Sequence, residues 1–303
     1  MPKAATVVAL LTDFGDSEYV GQMKGVLARL CPRAQVVDLC HTISPQAVRE
    51  GAWVLWTSYR HFPPGTLFLA VVDPGVGTDR PAVAVQSRRY RWVGPDNGLL
   101  YPAVEEDGLV RAVRLPVPPG ASPTFHGRDL FAPAAARWAC GESLEALGSE
   151  LDQPLVPLSF PARAGSGEVV RVDRFGNLVT TLPVPMLPAF AGPPQGPGPG
   201  APQPGEVPER WLLVYFEEER SSPPIRVRLV STYGRGRPGE LVAVVGSSGT
   251  LELAVVGGSA AERLAVRPGT LFRVEAASPD GVEEPRSEPQ AQTGSGEGGS
   301  SHG

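Results

Sequence analysis

The sequence lacks most of the features that mark the common classes of protein. Its 303 residues contain three cysteines, Cys31, Cys40 and Cys140. They are odd in number, far apart and without a C-x-x-C pair, which argues against a disulfide framework and against a zinc site. On that ground a reducing cytoplasm fits best. Neither sign of charge is concentrated: 27 Lys and Arg against 32 Asp and Glu give a formal net charge of −5, with no run that would tether nucleic acid or an anionic membrane. No apolar segment approaches the ~20 residues of a membrane span, and the N-terminal MPKAATVVALLTDFG enters a polar turn with no small-residue cleavage pattern. Also missing are the phosphate cradle G-x-x-x-x-G-K-[ST], the nucleophile elbow G-x-S-x-G and the metal helix H-E-x-x-H. The expectation is a soluble chain that binds neither nucleic acid nor membrane and advertises no metal.

What is present is organised around Leu67–Arg80, LFLAVVDPGVGTDR. Leu67–Val72 has the length and apolar content of a strand buried on both faces, and it stops at Asp73-Pro74-Gly75. In open α/β sheets ligands collect outside the carboxyl ends of the strands. An acid at such an end is therefore either a functional group or an acceptor for its own turn. Thr6–Leu11 repeats the design, ending at Asp13. Between the two lie a helical pattern over Tyr19–Leu30, a strand at Gln35–Leu39 and a helical pattern over Ala47–Tyr59. This alternation predicts an α/β layered domain with a largely parallel sheet.

After Arg80 the pattern becomes a meander: Ala82–Gln86, Tyr90–Val93, the turn Pro95-Asp96-Asn97-Gly98, Leu99–Tyr101, and then Val110–Leu115. His126 lies in a loop before the helical stretch Leu130–Cys140, with Asp129 placed to cap it. Asp73, Arg80 and His126 together could bind and polarise a water molecule without a metal. The arginine favours its hydroxide-like form, the carboxylate orients it and the histidine can relay a proton.

A Pro-rich connection, Gln153–Pro161, suggests a boundary between a first domain at 1–160 and a second at 161–277. Seven short strand signals follow, at Glu168–Asp173, Leu178–Leu182, Trp211–Glu217, Ile225–Leu229, Leu241–Val245, Leu251–Val256 and Thr270–Glu275. They predict a small sandwich or barrel. A Pro/Gly-rich insert at 184–208 reads as a surface loop, and the polar tail 278–303 as disordered. Two turns of this half stand out. Asp173-Arg174-Phe175-Gly176-Asn177 offers an aromatic face and an amide edge suited to a purine, and Gly246-Ser247-Ser248-Gly249 offers hydroxyls and N–H groups suited to a carboxylate. Both could equally be plain hairpin turns.

Taken in order, LLTDFGDSEYVGQMKG, VVDPGVGTDR, WVGPDNGLL, TFHGRDLFAPAAA, VDRFGNLVTT and VGSSGTLELAVVGG resemble the S-adenosyl-L-methionine (SAM) hydroxide adenosyltransferases, relatives of fluorinase and chlorinase. The resemblance implies an α/β domain followed by a β-barrel, assembled as a homotrimer with sites between neighbouring subunits. It implies hydrolysis of SAM, a small-molecule substrate, to adenosine and L-methionine, with no cofactor. The water-activating triad falls on Asp73, Arg80 and His126, and the ribose-binding acid on Asp13. The residues around the methionine amine and adenine fall on Asp173, Phe175 and Asn177, and the carboxylate-binding turn on Ser247 and Ser248. Halogenating relatives resemble a tyrosine and a small-residue halide pocket where this chain has Asp73, which favours water over halide. The alternatives are a SAM-dependent halogenase and a non-catalytic binder of SAM or adenosine.

Overall fold

The computed structural model describes residues 5–187, 210–217 and 223–277. The tail 278–303 and residues 188–208 of the Pro/Gly-rich insert lie outside these.

The first half holds strands β1 (Val7–Thr12), β2 (Gln35–Cys40), β3 (Leu67–Val71), β4 (Ala82–Ser87), β5 (Arg91–Pro95), β6 (Leu109–Arg114) and β7 (Ser149–Glu150). They form one mixed sheet in the order β2-β1-β3-β5-β4-β6-β7. β2, β1, β3 and β5 run parallel, and the β5, β4, β6 and β7 pairings are antiparallel. Parallel pairing is what the helices α1 (Glu18–Leu30) and α2 (Val48–Ser58) allow, since each carries the chain back across the sheet. The sheet is central because its middle strand is apolar on both sides. Leu67, Leu69 and Val71 of β3 face a core shared with α1, whereas Phe68, Ala70 and the following Val72 face one shared with α2. The strands approach closely, and a Cβ on Gly94 of β5 would lie 2.4 Å from the Ala70 carbonyl oxygen of β3. Because β1, β3 and β5 are parallel neighbours, the residues just past their ends (Asp13, Asp73 and Asp96) share one edge.

Three local expectations are corrected. Leu99–Tyr101 is not a strand. Asn97 Oδ1 accepts the Leu99 N–H, and the turn feeds helix α3 (Tyr101–Asp107), where Pro102 suits the first turn. Asp129 does not cap the next helix. The chain enters α4 (Ala132–Ala139) through a π-helical turn at Gly127–Phe131, and the Asp129 carboxylate inside that turn accepts from the Ser122 N–H and Arg128. The cysteines do form a disulfide. Cys31 caps the end of α1 and Cys140 the end of α4, and packing of those helices brings their Cα atoms to 5.6 Å. Spacing along the chain could not reveal a pair 109 residues apart, and the inference from cysteine to a reducing compartment loses its premise. Cys40 is free. Among the described residues no helix is long and apolar enough to cross a membrane. Helix α5 (Leu144–Leu147) completes this half.

Strands β8 (Ser166–Val172), β9 (Leu178–Pro183), β10 (Arg210–Phe216), β11 (Ile225–Val230), β12 (Leu241–Val245), β13 (Thr250–Val255) and β14 (Leu271–Ala277) close a barrel in the order β10-β11-β12-β13-β9-β8-β14. Alternate residues such as Leu212, Val214 and Phe216, with Phe272 and Val274 opposite, fill its interior. The short helix α6 (Ala260–Leu264) packs against it. Helix α2 carries the contact between the halves. Arg49 pairs with Glu168 through two hydrogen bonds at 3.0 and 2.6 Å, and Trp53 packs on Val170 and Val179.

Candidate active site

Asp73 ends the central strand, and the loop after it folds back on itself, with Thr78 Oγ1 donating to the Gly75 carbonyl at 2.7 Å. The return places Arg80 against Asp73. Arg80 Nη2 donates to Asp73 Oδ2 at 2.5 Å and lies 3.4 Å from His126 Nδ1, while Nη1 donates to the Pro81 carbonyl at 2.8 Å. The guanidinium also sits over the Phe131 ring, 5.4 Å from its centroid. With side chains only 9% and 5% exposed, Arg80 and Asp73 form a buried ion pair. His126 is buried at the entrance to the π-helical turn.

The electrostatics follow from this crowding. Burial pushes the Asp73 carboxyl up from its ordinary value, and the Arg80 charge opposes that shift. Burial, and then the adjacent Arg80 charge, push His126 below its ordinary 6.5. A guanidinium only donates, so the imidazole nitrogen facing it presents a lone pair and the ring hydrogen sits on Nε2. The triad is thus a buried cation flanked by a carboxylate and a neutral imidazole. Such a set can hold a water molecule by its oxygen and stabilise developing hydroxide.

Asp13, at the end of β1, accepts the Gln46 N–H at 2.8 Å through Oδ2. Gln46 itself holds a left-handed φ of 65°, a costly backbone for a side chain of its size. The carboxylate therefore fixes the turn that enters α2 as well as standing at the sheet edge.

The barrel residues gather elsewhere. Asp173 Oδ1 accepts the N–H groups of Phe175 and Asn177 at 2.8 and 2.9 Å, and Oδ2 accepts from Asn177 Nδ2 at 2.9 Å. This turn borders a cavity of about 620 Å³ lined also by Tyr233, Val255, Val256, Gly257 and Gly258. The Phe175 ring stands 77% exposed beside it. Tyr233 is held by Glu252, which accepts its hydroxyl hydrogen at 2.8 Å. Ser247 and Ser248 are apart from this cavity. They line a groove of about 210 Å³ with Trp53, Trp56, Arg60, His61 and Phe160, where hydroxyls and basic side chains suit a carboxylate.

The fold therefore assembles Asp73, Arg80 and His126 into one contact cluster and Asp173, Phe175 and Asn177 into another. It does not bring the two together: neither the cavity nor the groove is lined by Asp13, Asp73, Arg80 or His126. Sequence reasoning missed Tyr233, which carries no motif, and assigned no role to the 255–258 wall, although those residues close the motif VGSSGTLELAVVGG. It also passed over Asp96, although the strand-then-acid pattern already seen twice could have found it. Among the described residues no group of three or more His, Cys, Asp or Glu side chains is placed to share a metal ion.

Comparison with known proteins bears on this geometry. Residues 8–148 match the sequence model of the SAM hydroxide adenosyltransferase N-terminal domain, and residues 167–273 that of its C-terminal domain. The chain is 40% identical over 281 residues to the (R)-S-adenosyl-L-methionine hydrolase of Thermus thermophilus, covering 88% of this chain and 98% of that one. It is 31% identical over 212 residues to the fluorinase of Actinopolyspora mzabensis, covering 58% and 71%. A crystal structure of a Thermotoga maritima protein superposes with a TM-score of 0.76 at 32% identity, covering 88% of this chain and all of that one.

Proposed function

The chain belongs to the SAM hydroxide adenosyltransferase family, and from that footing we propose that it hydrolyses SAM at C5′, giving adenosine and L-methionine. The observation that carries the reading is the buried Asp73–Arg80–His126 contact at the end of the central strand. A sulfonium leaves as a neutral thioether and needs no proton. The barrier lies in making and aiming a nucleophile from water, whose pKa is about 15.7. Arg80 stabilises the developing hydroxide, Asp73 fixes the guanidinium and His126 closes the site. Holding the water in line with the C5′–S bond can contribute on the order of 7–11 kcal/mol at best. A halide, by contrast, would have to sit against the Asp73 carboxylate, so this site favours a neutral nucleophile. The relatives named for hydrolysis specify the (R) sulfonium, and this epimer is the proposed substrate.

The separation of triad and barrel cavity within one chain supports a shared site. In a homotrimer, the cavity with Asp173, Phe175 and Asn177 holds the adenine end while a neighbour's triad faces C5′, Asp13 holds the ribose, and Ser247 and Ser248 hold the carboxylate. Incubation with epimeric SAM, with and without EDTA and chloride, tests the reaction by chromatography. Equal amounts of adenosine and methionine are expected, drawn from the (R) form, insensitive to chelator and without a 5′-chloro product. Absence of adenosine overturns the reading. Mixing Arg80→Ala with Phe175→Ala protein tests the shared site, because mixed trimers regain intact sites only when the two halves come from different chains.

A further inference from the structure

The sheet edge that carries the triad holds a third carboxylate, Asp96, which the triad does not use. β5 runs beside β3 and ends at Pro95-Asp96-Asn97-Gly98. Asp96 is 5% exposed. Its backbone N–H donates to the Pro81 carbonyl at 2.9 Å, the same oxygen that Arg80 Nη1 reaches, so a single peptide joins this acid to the guanidinium. Oδ1 accepts the Val156 N–H at 2.9 Å, whereas Oδ2 is buried with no hydrogen-bond partner. The turn itself does not need this oxygen. Asn97 closes it, donating to the Val72 carbonyl at 2.9 Å and accepting from the Leu99 N–H at 3.2 Å. A buried carboxylate oxygen left unpaired beside a reaction site calls for an explanation, and a partner in the reaction is one.

The chemistry supplies one, on the reading that the chain hydrolyses SAM. The water oxygen bonds to C5′, the C5′–S bond breaks with its electron pair passing to sulfur, and one O–H bond of the water breaks. A proton must go somewhere. Arg80 cannot take it. His126 carries its hydrogen on Nε2 and turns its free lone pair toward Arg80, so protonation there would place two cations 3.4 Å apart. Asp73 is tied to Arg80 at 2.5 Å through Oδ2, and accepting the proton would discharge the ion pair that holds the guanidinium in place. We infer that Asp96 is the proton acceptor of the water site. The nucleophilic water lies against Arg80 with one hydrogen on Asp96 Oδ2, which receives the proton as the bond to C5′ forms. The second unpaired oxygen of the cluster, Asp73 Oδ1, holds the other hydrogen. Burial raises the Asp96 carboxyl above its ordinary 3.8, with the Val156 N–H and Arg80 opposing, which brings its basicity toward that useful for proton transfer.

The test compares the full-length wild type with Asp96→Asn, which retains the shape and the acceptor for Val156. Release of adenosine by the wild type is the control, and its failure would strike the proposed reaction rather than this assignment. Given that control, Asp96→Asn is expected to lower kcat at least ~100-fold while the calorimetric Kd for SAM moves by less than about threefold. The wild-type kcat should also fall on the acid side as Asp96 protonates. The charged and titratable neighbours there are Arg80, which stays cationic, and Asp73 and His126 beyond it. Asp96→Asn should shift this acid limb, because of the two carboxyls that burial raises only Asp73 then remains to titrate. A kcat within about threefold of the wild type, or an unchanged acid limb, overturns the assignment. Should Asp96→Asn lack a cooperative melt, Asp96→Ala with added formate decides. A carboxylate supplied from solution restores turnover if the side chain accepts a proton, and a lack of restoration counts against it.

Discussion

The two clusters that carry the proposed chemistry are built in opposite ways. Around Arg80 the side chains are buried, ion-paired and locked by a folded-back loop, and the chain supplies nearly every contact itself. Around Phe175 there is an open, mostly apolar cavity, an aromatic ring in solvent, and an acid occupied with its own turn. Reaction groups must be held before the substrate arrives, because reorganising charge during the chemical step is what a water-filled site cannot avoid. A recognition surface can wait for the base to cover it. The difference teaches that the parts of one site can differ in rigidity according to whether they stabilise a transition state or merely grip a ligand.

The most severe break in this contrast is Arg80→Ala. Loss of the cation should depress kcat by roughly 10²–10⁴ with a much smaller change in calorimetric Kd, whereas Asp13→Ala should chiefly weaken binding. Equal loss of binding and turnover in Arg80→Ala would assign the arginine to substrate binding instead. The same variant leaves Asp73 buried without its counter-ion, a defect that costs about 3–5 kcal/mol. The sign of the pH effect follows. Without Arg80, burial of Asp73 is opposed only by His126 and the Gly75 N–H, and its pKa rises further above the ordinary 3.8, so the folded state binds a proton more tightly than the unfolded one. The deficit in stability should therefore shrink as pH falls through that interval, which denaturant titrations at several pH values would read.

A smaller effect is expected at the disulfide, which ties the end of α1 to the end of α4. Closing a loop between Cys31 and Cys140 removes unfolded-state entropy, and Cys31→Ser should cost about 2–5 kcal/mol, roughly 5–15 °C in Tm. Reduction of the wild type should reproduce the shift. An unchanged melt in both experiments would show that packing of α1 on α4 suffices by itself. The mildest change belongs to the open cluster. Phe175→Ala removes an exposed ring, so stability should stay within about 0.5 kcal/mol, while affinity for SAM should fall by about 1–3 kcal/mol through lost stacking. A large drop in Tm would mean that the ring is covered in the assembled protein and is structural.

Much of this was legible beforehand. The barrel strands announce themselves as short β-branched or aromatic runs between turn residues, and the buried central strand by its apolar run ending at Asp73. The short helices α5 and α6 did not announce themselves, because one or two turns leave no periodicity to read. The strand expected at Leu99–Tyr101 failed for a related reason: three apolar residues fit either period, and Asn97 decided the outcome by bonding to the Leu99 N–H and starting a helix.

What the amino-acid order determined by itself was the longer elements and the candidates Asp73, Arg80 and His126, since apolar period, turn chemistry and motif are properties of neighbouring residues. Which groups meet was decided only by the tertiary structure. The loop after β3 brings Arg80 back to Asp73, helix packing joins Cys31 to Cys140 across 109 residues, and the antiparallel pairing of β4 with β5 sets Asp96 beside Pro81. These contacts depend on strand order and helix docking, which are long-range choices of the whole core and leave no mark on the local sequence.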